Sequence, residues 1–279
     1  MILYIQTPAI PRSELHNQLI KLMMLYLDDC KQFSEIRWFV NIDAIKTSQT
    51  KNGVYKWEDA NITKNNFTNI ANELTNTKTN INISNDPCFY LAFRYLTNAV
   101  IEDIDKSKLK SSEYCVMWLE DDWEFIDKEA FSKNLDIFLS KGELDCYILN
   151  NNKINMGGNP DIIKGSVFEL FRHINLDKDN KRDPENIRKH DVWYPNVFID
   201  PYEGGDELEE PPYHLLLQKL ISINGDINHE GRKWQKKILS ANVVCDIVGD
   251  TWRANLNVSK KWDTNDKHGI SPDRSYSYK

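Results

Sequence analysis

The stretch Tyr114-Cys-Val-Met-Trp-Leu-Glu-Asp-Asp-Trp123 decides how this chain reads. Residues Tyr114 to Leu119 make a short apolar run of the kind that fills a buried strand, and the run ends in three consecutive carboxylates, Glu120, Asp121 and Asp122. Acids clustered where a strand opens into a low-dielectric cleft repel one another and resist ionisation unless a cation offsets them. A hard divalent ion suits oxygen ligands, which points to Mg²⁺ or Mn²⁺ and to a phosphate-bearing ligand. The alternative is a solvated strand end leading into the next helix. The order of the surrounding elements has to separate the two.

Working outward, Ile2-Leu-Tyr-Ile5 is a β-prone run. After Pro8 and Pro11, Leu15, Leu19, Leu22, Met23 and Tyr26 recur at helical spacing, with Ser13 placed as N-cap. Arg37 to Ile42 is a second strand ending at Asp43, so the first 45 residues read as β-α-β with a parallel sheet. Residues 46 to 86 are rich in Asn, Thr, Lys and Ser, and beyond Phe67, Ile70 and Leu74 they show little apolar periodicity. They read as a mobile excursion with at most a short helix. Asp86-Pro87 then offers an N-cap and a first helical residue before Phe89, Phe93, Leu96 and Val100, which share one face. That helix leads into the Tyr114 strand, so the acidic triplet closes a third strand of the sheet.

Beyond the triplet, Lys128 to Leu139 reads as a helix and Asp145 to Leu149 as a strand, followed by a turn-rich loop with Gly157, Gly158 and Pro160. Gly165 to His173 and Tyr213 to Ser222 read as helices, Val243 to Val248 as a late strand, and the chain beyond Lys260 as a polar, weakly ordered tail.

The 279 residues suffice for one large α/β domain with a real core, and 41% hydrophobic with 28% charged residues is a globular composition. The formal charge of −7, without a basic tract interleaved with aromatics, argues against nucleic acid as a partner. No apolar run reaches the length of a membrane span and the opening residues lack a basic leader, so a cytoplasmic protein is expected, or one of the host cytoplasm if the source is viral. Five scattered cysteines without CxxC spacing give neither a disulfide framework nor a zinc knuckle. Oligomeric state leaves no mark in the sequence.

An N-terminal β-α-β unit, a polar excursion, a helix, and an apolar strand ending in acids near mid-chain resemble the A-type glycosyltransferase fold. Its nucleotide-sugar enzymes carry an Asp-x-Asp-like motif at that place, here Glu120-Asp121-Asp122. The resemblance implies a Rossmann-like, mixed and mostly parallel sheet flanked by helices. It further implies a nucleotide-sugar-binding half over residues 1–150, an acceptor-binding half over 151–260 and a polar tail over 261–279. The implied activity is metal-dependent transfer of a sugar from a nucleoside-diphosphate sugar to an acceptor hydroxyl, on a glycan. By resemblance Asp122 binds Mn²⁺ or Mg²⁺, Glu120 or Asp121 meets the ribose and sugar, and Thr7, Pro8, Arg12, Asn41 and Asp43 line the nucleotide.

For the acceptor, Asp206 and Glu207 in a loop hinged by Gly204 and Gly205 are candidate bases, with a solvated acidic loop as the alternative. The resemblance also implies a late His at the metal, for which His190 and His214 are candidates, although no two histidines have ligand spacing and an ordinary polar or core His is the alternative for each. Trp252 and Arg253 offer a ring for a sugar face and a cation for phosphate. Two other classes share these features. A nucleotidyltransferase would want a Gly-rich, basic loop after the first strand, which Gln6 to Arg12 is not. A carbohydrate-binding module of the same fold that has lost the chemistry would have no use for the acidic cluster.

Overall fold

Strand β1, Ile2–Ala9, lies in the interior of the sheet and carries the architecture. In the computed structural model, which describes residues 1–50, 53–85, 89–142, 144, 146–149, 160–169, 238–239, 244–248, 252, 255 and 258–262, β1 pairs in parallel with β2 (Glu35–Asp43) on one side and β6 (Tyr114–Trp118) on the other. The seven-stranded sheet runs β10-β8-β9-β6-β1-β2-β5, where β5 is Thr77–Ser84, β8 Cys146–Ile148, β9 Asp161–Lys164 and β10 Ile238–Leu239. Among the described strands of this sheet, only β9 runs antiparallel to both neighbours. The fold is therefore the Rossmann-like, mixed and mostly parallel α/β arrangement expected.

Helices cover both faces of the sheet, which is why β6 is buried along its whole length. Trp38 of β2 meets Phe67 of α3 (Ala60–Glu73) on one face, while Tyr4 of β1 bonds Asp103 of α4 (Phe89–Ser107) on the other. The first face holds the larger core, with Leu3, Ile5, Met23, Leu27, Ile70, Met117 and Phe131 among its fully or nearly fully buried members. Among the described residues no helix is long and apolar enough to cross a membrane.

Several local expectations are corrected. The helix after β1 is two helices, α1 (Ser13–Gln18) and α2 (Ile20–Asp28), because Leu19 departs from helical geometry at φ −113°, ψ −75°. Ser13 does not cap α1 with its own side chain; instead its backbone N–H donates to Glu58 Oε1 at 2.7 Å. The polar excursion is ordered over much of its length. It contains the hairpin β3 (Thr47–Thr50) and β4 (Gly53–Lys56), helix α3 capped by Asp59, and the edge strand β5.

Its order was hidden because β5 alternates Thr and Ile on one face with Lys and Asn on the other, a weak apolar signal suited to an edge. After β6 come β7 (Trp123–Phe125) and α5 (Lys128–Ser140), the latter capped by Asp127. The helix at Gly165 is a single turn, α6 (Gly165–Phe168), within the described residues. Late strands return to the first half: β11 (Cys245–Ile247) pairs with β7, and β12 (Val258–Trp262) with β3, so the chain just past Lys260 is strand. The N-cap expected at Asp86-Pro87 and the helix at 213–222 lie outside the described residues.

Candidate active site at the carboxyl edge of the sheet

From β1 the chain crosses to β2 and β5 on one side, then returns to lay β6 on the other side of β1. The gap between the carboxyl ends of β1 and β6 is thus the point where strand order reverses, the place at which open α/β sheets bind ligands. The acidic loop sits there. Leu119 N–H donates to Gln6 carbonyl at 3.0 Å, extending the ladder one step before Glu120.

The loop after β1 grips the loop after β6 through Asp121. Its carboxylate accepts from Ile10 N–H at 3.2 Å, from Arg12 Nε at 3.1 Å, from Arg12 Nη2, and from His16 Nε2 at 2.6 Å. An ionised carboxylate only accepts, so Nε2 of His16 carries the proton. Burial alone would discourage the charge on Asp121, but the Arg12 guanidinium and the His16 bond outweigh it and hold the carboxyl well below the ordinary range. Arg12 shows the converse: burial disfavours its charge, and Asp121 and Asp122 drive its pKa upward. The cation that the acidic cluster demands is supplied in part by the chain itself.

Asp122 is treated differently. Its Oδ2 lies 3.3 Å from Arg12 Nη2, a longer pair than those of Asp121, and its backbone carbonyl accepts from Val248 N–H at 2.9 Å. Glu120 is partly exposed and accepts from Trp118 Nε1 at 3.5 Å. Asp121 thus accepts from four donors, whereas Asp122 is buried beside Arg12 and Glu120 lies partly exposed next to Trp118. Among the described residues no three His, Cys, Asp or Glu converge as a metal cage. A catalytic Mg²⁺ or Mn²⁺ needs no such cage: one or two carboxylates plus substrate phosphates complete its shell. In that mode Asp122 is the carboxylate that would hold the ion.

The other expected contacts fall as follows. Asp43, at the end of β2, is 4% exposed and accepts from Asn41 Nδ2 at 2.9 Å. Pro8 is buried and in register with Asn41, and Thr7 is fully buried with its hydroxyl accepting from Trp38 Nε1 at 2.9 Å, on the core side of β1. Trp252 stacks on Trp57, with ring centroids 5.9 Å apart, and lies 5.9 Å over the Arg12 guanidinium; Ile10, Ile45 and Tyr55 complete this apolar corner. Asp206, Glu207, His190, His214, Arg253 and Gly157 to Asn159 lie outside the described residues.

Three contributors were missed from sequence. His16 sat on a helix as one polar residue among several, and its i+4 spacing from Arg12 was the available signal. Glu58 ties Ser13 to Thr63 Oγ1, at 2.6 Å from the latter, and so fixes α1 and α3 together beneath the Arg12 loop. Asp161 opens β9 opposite Trp118, is fully buried, and has no hydrogen-bond partner at either oxygen among the described residues. Burial pushes its carboxyl well above the ordinary value. A separate cleft of about 410 Å³, lined in part by Phe39, Lys78, Tyr95 and Glu102, opens between α4 and β5 and does not include the acidic loop.

No protein-family model matches the sequence, and no curated protein matches it. Among solved structures the chain is similar to S. aureus TarS 1–349, with 12% identity over 85% of this chain and 79% of that one and a TM-score of 0.41. It is also similar to mouse xyloside xylosyltransferase 1 in its apo form, with 9% identity over 86% and 84% and a TM-score of 0.26.

Proposed function

We propose that this chain is a glycosyltransferase that moves a sugar from a nucleoside-diphosphate sugar to an acceptor hydroxyl, on a glycan, with Mg²⁺ or Mn²⁺ as cofactor. One observation carries the reading. The acidic loop after β6 is clasped by Arg12 and His16 to the loop after β1, at the reversal of strand order and on the same sheet edge as Asp43. The bound ion would supply Lewis-acid neutralisation of the diphosphate, worth several kcal/mol to its departure.

The chain's own residues do the remainder. Asp122 holds the ion and Glu120 meets the ribose or sugar. Asp121 is spent as an anchor that fixes the loop, and Arg12 places a cation beside the phosphates while buried against Asp121. Asp43, with Thr7 and Pro8 behind it, borders the nucleotide. Asp206 and Glu207 are the candidates to take the acceptor's proton.

Calorimetric titration with UDP, GDP and their sugars, with and without Mn²⁺, tests this on the native chain and on Asp122→Ala. The expected result is ion-dependent binding that falls by about 100-fold or more in the variant, at least the loss seen when a supporting residue of a metal site is removed. Absence of binding to every nucleoside diphosphate in every metal condition rejects the reading; native ion-dependent binding by Asp122→Ala rejects the metal assignment alone.

A further inference from the structure

Asp43 stands at the end of a directed row of side chains. Asn82 on β5 is in register with Asn41 on β2, and Asn82 Nδ2 donates to Asn41 Oδ1 at 2.7 Å. Asn41 Nδ2 in turn donates to Asp43 Oδ1 at 2.9 Å. Asn41 is 1% exposed and Asp43 4%, while Asn82 is partly exposed at the sheet edge. Asparagine is depleted from strands, and a facing pair of them occupies positions where Val or Ile would stabilise the sheet more.

The row has one sense only. Asp43 Oδ1 accepts, so Asn41 turns its amide nitrogen toward it. That leaves the Asn41 oxygen directed at β5, where the Asn82 nitrogen meets it. Buried hydrogen bonds in series polarise one another, so the outer asparagine strengthens the inner bond as well as orienting it. A carboxylate held in this way repels phosphate and suits N–H and O–H donors, which in a nucleotide belong to the base and the ribose.

We propose that Asn41 and Asn82 are positioning residues that aim the Asp43 carboxylate at the nucleoside part of the bound nucleotide; this rests on the assignment of Asp43 to the nucleotide site made above. Asn82 acts through Asn41 and touches no ligand. Binding of the nucleoside part therefore depends on an edge-strand residue of the polar segment before α4.

The test is calorimetric titration of UDP, GDP and inorganic pyrophosphate, each with Mn²⁺, into the native chain, Asp43→Asn, Asn82→Asp and Asn82→Ala, with a melting scan of each variant. An acid at position 82 accepts only, so Asn41 would stand between two carboxylates that both call for its nitrogen, and the row loses its single sense. Affinity for both nucleoside diphosphates should then fall about tenfold, as for the loss of one buried hydrogen bond, with pyrophosphate binding unchanged. Asn82→Ala, which leaves Asn41 oriented by Asp43 alone, should lose about threefold and carries the comparison if Asn82→Asp does not fold. Native affinity in both Asn82 variants alongside weakened Asp43→Asn overturns the row and leaves the site standing. Equal losses for pyrophosphate and nucleotides also overturn it. Native affinity in Asp43→Asn removes the Asp43 assignment and the inference with it, while failure of the native chain to bind any nucleoside diphosphate defeats the proposed function itself.

Discussion

Arg12 illustrates how one side chain can satisfy a local demand that sequence alone assigns elsewhere. The triplet called for a cation, and the nearest one proved to be a guanidinium from the loop after β1, buried against Asp121 and under Trp252. Its position 109 residues away in the chain hid the pairing, since no local spacing brings the two together. Breaking such a pair from one side leaves an uncompensated interior charge. Asp121→Ala is therefore expected to destabilise the fold by about 3–5 kcal/mol in urea unfolding, far more than an exposed acid would. Asp122→Ala removes only the longer, 3.3 Å partner and leaves Arg12 its bonds to Asp121, so it should cost less in the same unfolding measurement while losing ion-dependent binding.

At the scale of elements, periodicity revealed β1, β2, β6 and the helix at α5 because each buries an apolar face in one continuous run. The strand–acid junction at Leu119 and Glu120 was legible for the same reason. What stayed hidden obeys a different logic. β5 is half-buried at an edge and reads as polar, β9 is short and antiparallel behind a Gly-rich loop, and the split at Leu19 is a backbone adjustment within an unbroken apolar pattern. The junction of β9 with α6 shows how tightly these short pieces fit. A Cβ on Gly165 would lie 2.4 Å from the Ser111 carbonyl oxygen and 2.8 Å from the Tyr114 ring. Gly165→Ala should thus cost about 1–3 kcal/mol, read as a lowered melting temperature, because a backbone carbonyl and a packed ring must both give way.

The whole molecule's stability against pH carries opposite signatures from two buried carboxyls. Asp121 is held low, so its contribution is present above the unfolded value near 3.8 and is lost as pH falls through the lower folded value. Asp161 is held high by burial, so stability is greatest below that unfolded value and declines as pH rises toward the folded value. Between those limits the Asp161 slope approaches about 1.4 kcal/mol per pH unit. Asp161→Asn should flatten the decline in urea unfolding measured from pH 4 to pH 8 and leave the acid limb in place; an unchanged slope would show that another group sets it. A further consequence lies in the late strands, for β11 closes onto β7 and β12 onto β3. During synthesis the ribosome delivers β3 some two hundred residues before its partner β12, so the nascent chain must carry an incomplete sheet until the last fifth is made. Slow completion and an interval open to chaperones follow from that order of strands.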